Sequence, residues 1–287
     1  MTQNLTGIRE VGRLLERHGF TLSKGLGQNF IVNPGICPRM AEESGARGAG
    51  VLEIGPGIGV LTVELAKVAR KVVSIELDKR LAPILAETLA DYPNTAVIYE
   101  DVLRVDLAAL IAREFAGMEV VVCANLPYYI TSPIVMGLLE QRLPIRAVTV
   151  MVQKEAAVRL CAQPATREVG AVSIAVRYFS EPKVLFSVSR GSFLPPPNVD
   201  SSVIRLDVRK EPPVSVADER QFFAVAKASF GKRRKTLSNS LTGLYGMDKE
   251  TIRAALERTG VSPMARAEEL TLAQFAAVAA ALQMDRK

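Results

Sequence analysis

Residues 51–60 read VLEIGPGIGV, an apolar run that ends at three closely spaced glycines. The apolar run predicts a short buried strand, and Leu61, Leu65 and Val68 then recur at the spacing of one helix face. Glycine allows tight turns and lets the backbone approach a ligand, while the first turn of a helix offers free N–H groups. This segment therefore predicts a strand, a ligand-binding turn and a helix.

The alternation of strand and helix continues along the chain. Further strand patterns lie at residues 71–76, 96–99, 119–124 and 147–153. Helical patterns separate them, which indicates a mostly parallel sheet covered by helices on both faces. We expect an α/β fold of the Rossmann-like type for this part of the chain.

The pattern changes near Pro212-Pro213, which we interpret as a linker. Beyond it, Asp218 and Thr271 are typical helix N-caps, and Ile252 and Leu256 lie at helical spacing between them. The sequence therefore predicts a Rossmann-like domain at residues 1–210 and a small all-helical domain at residues 211–287.

The composition argues against several classes of protein. The 287 residues include 36 basic and 30 acidic side chains, and the net charge of +6 is compatible with a polyanionic partner. One histidine and three widely separated cysteines argue against histidine-rich and CxxC zinc sites. Residues 1–12 lack the apolar core of a signal peptide, and no apolar run approaches the ~18 residues of a membrane span. We expect a cytoplasmic, metal-free monomer that is not attached to a membrane.

Three features that could bind a ligand fall where predicted strands end. The glycines of residues 55–59 have the G-x-G-x-G spacing typical of S-adenosylmethionine (SAM) methyltransferases, whereas a nicotinamide fingerprint would need a small residue in place of Val60. Glu76 ends the next strand, where a carboxylate can accept both hydroxyls of a ribose. Asp101 follows the third strand, and its carboxylate could accept a hydrogen bond from an adenine amino group. Each acid alone is more often a solvated surface charge, but the coincidence of all three features at strand ends favours a ligand site.

The motif Asn125-Leu126-Pro127-Tyr128 directly follows the fourth predicted strand. The amino group of adenine is a poor nucleophile because its lone pair is delocalised into the ring. The side-chain oxygen of Asn125 and the following carbonyls can accept hydrogen bonds from this group, and Tyr128 can stack on the base. The motif therefore indicates methylation of an adenine amino group, the alternative being a turn with a buried tyrosine.

The chain resembles the small-subunit (16S) ribosomal RNA adenine N6,N6-dimethyltransferases over nearly its whole length. The resemblance is carried by GQNF at 27–30, the glycine turn, Glu76, Asp101, NLPY at 125–128, FLPPPNVDS at 193–201 and RRKTL at 233–237. It implies SAM-dependent dimethylation of adjacent adenosines near the 3′ end of 16S ribosomal RNA during ribosome biogenesis, with the small subunit as partner.

The resemblance also implies roles for individual residues. Cofactor contacts are expected from Asn29, Ile31, Gly55, Gly57, Glu76, Asp101 and Asn125. The target adenine is expected to meet Asn125, Leu126, Pro127, Tyr128 and Phe193. Ile31 stands where this family often has leucine, which a contact made mainly through the backbone would tolerate. For Phe193, core packing before a proline-rich turn is the alternative.

A basic cluster lies at the end of the first helix of the predicted C-terminal domain. Its members are Lys227, Lys232, Arg233, Arg234 and Lys235. Such clusters neutralise phosphates, which predicts RNA binding, although a solvated charged face is the common alternative.

Other functions stay open at this point. A large-subunit ribosomal RNA adenine methyltransferase of the antibiotic-resistance type would share the glycine turn and the NLPY motif. A non-catalytic small-subunit assembly factor could keep the same fold and basic face. A DNA adenine methyltransferase is disfavoured because no separate sequence-reading domain is evident, and Val60 disfavours a nicotinamide oxidoreductase.

Overall fold

The computed structural model describes residues 5–232 and 234–285, except for the side chain of Lys24. The chain divides into two compact units. The first comprises Met1–Ala157 and Glu181–Val208, and the second comprises Val158–Ser180 and Arg209–Lys287. The last break lies next to the boundary predicted at residues 210 and 211. Residues 158–180 differ from the prediction, because they group with the second unit and not with the first.

The first unit contains the strands of the fold. In chain order they are β1 (Phe30–Ile31), β2 (Gly50–Ile54), β3 (Lys71–Glu76), β4 (Thr95–Tyr99), β5 (Val120–Asn125), β6 (Ala147–Gln153), β7 (Ser180–Val188), β8 (Phe193–Leu194) and β9 (Ser201–Val208). Within the described residues, seven of these form one sheet in the order β4-β3-β2-β5-β6-β9-β7. The pairs from β4 to β6 are parallel, and β9 runs antiparallel to β6. The mostly parallel sheet predicted from the sequence is thereby confirmed.

The strand order changes direction next to β2. The chain moves outward from β2 through β3 to β4 and then returns to place β5 on the other side of β2. In open α/β sheets, ligands bind in the crevice outside the carboxyl ends of the strands at such a switch point. The fold therefore locates the candidate site at the ends of β2, β3 and β5.

The register of these three strands fixes which residues meet at that edge. Ile54 at the end of β2 is paired with Ile75 of β3 and with Ala124 of β5. Gly55 follows Ile54, Glu76 follows Ile75 and Asn125 follows Ala124. These three residues therefore lie at the same level of the sheet edge. A shift of one residue in either pairing would turn the side chains of a whole strand to the opposite face.

Helices cover the sheet of the first unit. They are α1 (Ile8–Arg17), α2 (Ile36–Glu43), α3 (Val60–Val68), α4 (Ala82–Thr88), α5 (Leu107–Glu114) and α6 (Thr131–Glu140), while α7 (Lys154–Cys161) spans the break between the units. Side chains on both faces of β2 and β5 are buried, as Val51, Leu52, Val121 and Val122 show. Burial on both faces explains why these strands are mainly apolar and do not alternate between apolar and polar residues.

The second unit consists of helices. They are α8 (Ala171–Phe179), α9 (Glu219–Phe230), α10 (Leu237–Leu241), α11 (Lys249–Arg258) and α12 (Leu272–Met284). The ring of Tyr178 on α8 lies 5.2 Å from the rings of both Phe222 and Phe223 on α9, measured between centroids. The Tyr178 hydroxyl also donates to Glu219 at 2.8 Å. These contacts explain why α8 belongs to the helical unit.

Two of the predicted caps of this unit are confirmed. Asp218 accepts from the backbone N–H groups of Arg220 and Gln221, and Thr271 forms a capping box with Gln274. The short helix α10 was not predicted, since its five residues give too little periodicity. Among the described helices, none is long and apolar enough to cross a lipid bilayer.

Gly50 provides a test of the packing beneath β2. A Cβ atom at this position would lie 2.4 Å from the ring of Phe115. We expect Gly50→Ala to lower the free energy of unfolding by about 1–3 kcal/mol, because the ring or the strand must move. The matched control is Gly12→Ala on α1, where a Cβ atom would meet nothing within 4 Å. Urea unfolding followed by circular dichroism measures both, and an unchanged midpoint for Gly50→Ala would contradict the packing.

Candidate active site

A cavity opens at the carboxyl edge of the sheet in the first unit. Each residue predicted to contact the cofactor or the target base lines it. These residues are Asn29, Ile31, Gly55, Gly57, Glu76, Asp101, Asn125, Leu126, Pro127, Tyr128 and Phe193. The structure thus brings together groups that lie up to 164 residues apart in the chain, from Asn29 to Phe193.

The glycine turn forms one wall of this cavity. Gly55, Gly57 and Gly59 all have positive φ, with values of 71°, 59° and 89°. A Cβ atom at Gly57 would also lie 3.2 Å from the ring of Phe30. Since L side chains rarely adopt such φ values, the turn requires glycine on conformational grounds and leaves its backbone open to a ligand.

Glu76 is tied to the glycine turn and to its own loop. Its Oε2 accepts from the N–H of Gly57 at 3.2 Å, and its Oε1 accepts from the N–H of Asp78 at 2.8 Å. Burial raises the pKa of Glu76, although these hydrogen bonds oppose the shift. A carboxylate oxygen can accept more than one hydrogen bond, so Glu76 keeps acceptor capacity towards the cavity.

The loop before β1 is held against the end of β3. The side-chain amide of Gln28 donates to Asp78 at 2.8 Å, while its oxygen accepts from the N–H of Ser23 at 2.8 Å. Asp78 also bonds the guanidinium of Arg80 at 2.7 Å, which lowers the pKa of this carboxyl group. Asp78 also caps the short helical turn that follows β3, since it accepts from the N–H of Arg80. Its bond to Gln28 is a long-range contact that no local pattern signals.

A short antiparallel ribbon places Phe193 beside the N-terminal loop. Ile31 of β1 is paired with Phe193 of β8, and Phe30 is paired with Leu194. The Phe193 side chain is almost fully buried, yet it lines the cavity. Its ring is therefore fixed by packing before any ligand enters.

Asn125 ends β5 and lines the cavity at the sheet edge. Its amide nitrogen makes a long hydrogen bond of 3.5 Å to the carbonyl of Asn29. Among the described residues, its Oδ1 makes no hydrogen bond, which leaves this oxygen able to accept one. The next N–H, that of Leu126, donates to the carbonyl of Met151 at 3.2 Å and so holds the segment on β6.

Tyr128 is held by a contact that sequence analysis missed. Its hydroxyl lies 2.6 Å from the hydroxyl of Ser201, which is fully buried at the start of β9. Burial raises the pKa of Tyr128, so the hydroxyl is neutral near pH 7. Because the hydroxyl already has a partner, the ring face is the part of Tyr128 that can meet a ligand.

Asp101 lies at the mouth of the cavity. Its Oδ1 accepts from the N–H of Leu103 at 3.0 Å, and its Oδ2 lies 3.7 Å from Nε of Arg104. The side chain is 30% exposed. It therefore has solvent access and remaining lone pairs for a ligand amino group.

Glu53 was not predicted as a notable residue. Its side chain is fully buried on β2, where Oε2 accepts from the hydroxyls of Thr62 at 2.7 Å and Ser74 at 2.6 Å. Its Oε1 has no partner among the described residues. Burial raises the pKa of Glu53 to about 7. Since Thr62 is on α3 and Ser74 is on β3, Glu53 links β2 to both of these elements.

The basic cluster lies in the second unit, and Arg233 is outside the described residues. The other members, Lys227, Lys232, Arg234 and Lys235, are exposed, and none makes an ion pair with a described residue. Lys235 also lines a second cavity together with Arg159 and Arg266. Within residues 5–232 and 234–285, no group of three or more His, Cys, Asp or Glu side chains is arranged to hold a metal ion.

Comparison with known sequences finds relatives along almost the whole chain. The ribosomal RNA adenine dimethylase family matches residues 19–284. The ribosomal RNA small subunit methyltransferase A of Geobacillus thermodenitrificans is 50% identical over 274 residues, covering 94% of each chain. The protein of the same name from Bacillus mycoides is 48% identical, again over 94% of each chain.

Solved structures share the fold. The 23S rRNA methyltransferase ErmE superposes with a TM-score of 0.68 at 30% identity, covering 89% of this chain and 100% of that chain. A dimethyladenosine transferase from Plasmodium falciparum superposes with a TM-score of 0.73 at 25% identity, covering 86% of this chain and 95% of that chain. Both likenesses extend well beyond the first unit.

The buried carboxyl of Glu53 predicts a pH-dependent stability. Burial raises its pKa from 4.5 to about 7, so the folded protein binds this proton more tightly than the unfolded chain does. The unaltered protein therefore loses stability as the pH rises from 4.5 to about 7. Glu53→Gln has no proton to lose at this position, so it does not share this decrease. We expect the unfolding free energy of Glu53→Gln, relative to the unaltered protein, to rise by about 2–3 kcal/mol between pH 5 and pH 8. Urea unfolding at both pH values measures it, and a difference independent of pH would contradict the assignment.

Proposed function

The chain belongs to the ribosomal RNA adenine dimethylase family, and we propose that it dimethylates N6 of adjacent adenosines near the 3′ end of small-subunit ribosomal RNA during ribosome biogenesis. The main support is the identity of about 50% with small-subunit enzymes over 94% of each chain. Identity to the large-subunit enzyme is 30%, which favours the small subunit over the antibiotic-resistance alternative. The reaction is supported by the cavity in the first unit, which is lined both by the residues predicted to contact the cofactor and by those predicted to contact the target adenine.

The methyl donor of this proposal is SAM. The residues of the cavity fit it, since the glycine turn leaves backbone open where a Cβ atom would collide, and Glu76 retains lone pairs for ribose hydroxyls. Asp101 would accept from the adenine amino group of the donor, while Asn29, Ile31, Gly55 and Gly57 would line its binding site. When bound, SAM supplies a methyl group on a positively charged sulfonium, which is an electrophile.

The chain's own residues would position and activate the target base. Oδ1 of Asn125 would accept a hydrogen bond from the amino group, which holds this group in place and raises the electron density on its nitrogen. The Tyr128 ring, oriented through Ser201, would stack on the base, and the fixed ring of Phe193 would bound it from another side. Leu126 and Pro127 complete the wall of the pocket. Such positioning can supply much of the acceleration in a group transfer.

The exposed basic cluster of the second unit would bind RNA phosphates. Lys227, Lys232, Arg234 and Lys235 carry free positive charges, and Arg233 adds another in the sequence. Binding through such groups weakens as the salt concentration rises, because the release of counterions from the RNA then gains less entropy. We also propose that the protein acts in the cytoplasm as a monomer and without a metal ion.

Asn125 provides the test of the proposed chemistry. We expect Asn125→Ala to reduce methyl transfer to unmethylated small subunits by roughly 100-fold or more, because a positioned electrostatic contact to the reacting group is lost. Binding of SAM, measured by titration calorimetry, should change much less. Asn239→Ala in the second unit is the matched control and should transfer at the normal rate. Full activity of Asn125→Ala would contradict the role of this side chain.

A further inference from the structure

Tyr129 has a different environment from its neighbour Tyr128. Both lie in the single helical turn Tyr128–Ile130 and both line the active-site cavity. Tyr128 is partly buried and bonded to Ser201, whereas Tyr129 is 59% exposed. Within residues 5–232 and 234–285, the Tyr129 hydroxyl makes no hydrogen bond. One of the two rings is thus built into the pocket, and the other is presented to solvent at its mouth.

The Tyr129 ring is nevertheless supported from one side. A Cβ atom on Gly27 would lie 3.4 Å from Cε1 and 3.5 Å from Cδ1 of this ring. One edge of the ring therefore packs on the N-terminal loop, and this loop is itself anchored through Gln28 to Asp78. A supported aromatic ring with a solvent-facing surface loses little conformational freedom when a planar group stacks on it.

The chemistry of the substrate provides such a planar group. When a target adenine leaves its stack to enter the pocket, the next base in the strand loses a stacking partner. Base–aromatic stacking in single-stranded nucleic acid is worth roughly 1–3 kcal/mol per base and tolerates any base, because every base has a π-face. An exposed tyrosine beside the pocket could replace the lost neighbour.

We propose that Tyr129 forms a stacking subsite for the nucleotide adjacent to the target adenine. This inference rests on the proposed function, since it requires a single-stranded RNA substrate whose target base occupies the cavity. The subsite acts on substrate binding and not on the methyl transfer step. It also differs from the other exposed apolar groups near the mouth, Leu77 and Leu103, because their aliphatic side chains offer no ring to a base.

The test is steady-state methyl transfer from SAM to unmethylated small subunits by three variants. Tyr129→Phe retains the ring, Tyr129→Leu retains an apolar side chain without a ring, and Tyr129→Ala removes both. We expect Tyr129→Leu and Tyr129→Ala to raise KM for the subunits about 10-fold or more, with kcat nearly unchanged. Tyr129→Phe should have the same KM and kcat as the unaltered protein. Leu103→Ala is the control for loss of an exposed apolar side chain and should leave KM unchanged.

Calorimetric titration with SAM distinguishes two possible roles of the Tyr129 ring, which are stacking on the RNA and support of the N-terminal loop. We expect all the variants to bind SAM with the affinity of the unaltered protein. A normal KM for Tyr129→Leu would overturn the subsite, because an apolar cover would then suffice. Weakened SAM binding by Tyr129→Ala would overturn it as well, because the ring would then act through Gly27 on the cofactor site. If the unaltered protein transfers no methyl group to small subunits, the proposed function fails, and the subsite fails with it.

Discussion

The parallel pairing of β2 with β3 on one side and with β5 on the other is the constraint on which the site depends. This register places Gly55, Glu76 and Asn125 at one level of the sheet edge. The hydrogen bond from the N–H of Gly57 to Glu76 then fixes the glycine turn relative to the end of β3. The residues proposed to meet a donor's ribose and a target base are thereby brought together before any ligand binds.

The N-terminal loop and the β8 segment complete what the sheet begins. Gln28 anchors the loop to Asp78, and the pairing of β1 with β8 adds Phe193 to the same cavity. Asp78 lies just beyond the end of β3, and β1 and β8 form a separate short ribbon. These contacts tie the walls of the cavity to the sheet edge, which suits a reaction that relies on positioning.

The sequence predicted those parts of the fold that local patterns encode. The buried strands β2, β3, β5 and β6 are mainly apolar, and the glycine spacing marks the turn, so their positions could be inferred without a structure. The resemblance to a family then supplied residues such as Phe193 whose chemistry is not evident from their neighbours in the chain. The structure adds that these residues line one cavity, while their individual roles stay predictions.

Long-range contacts account for what sequence reasoning missed. Helix α8 belongs to the second unit because Tyr178 packs on Phe222, more than 40 residues away, and its own apolar pattern fits either unit. The bond between Tyr128 and Ser201 and the burial of Glu53 beneath α3 likewise depend on tertiary packing. The exposure of Tyr129 could not be predicted, because the sequence alone does not distinguish an exposed aromatic residue from a buried one.

The most direct test of the account is the distribution of labelled methyl groups among possible substrates. Labelled SAM would be incubated with the protein and with unmethylated small subunits, large-subunit RNA or DNA, and the digested nucleosides would be identified by mass. We expect N6,N6-dimethyladenosine mainly in the small subunit. Label confined to large-subunit RNA or DNA, or no label despite binding of SAM and small subunits, would contradict it.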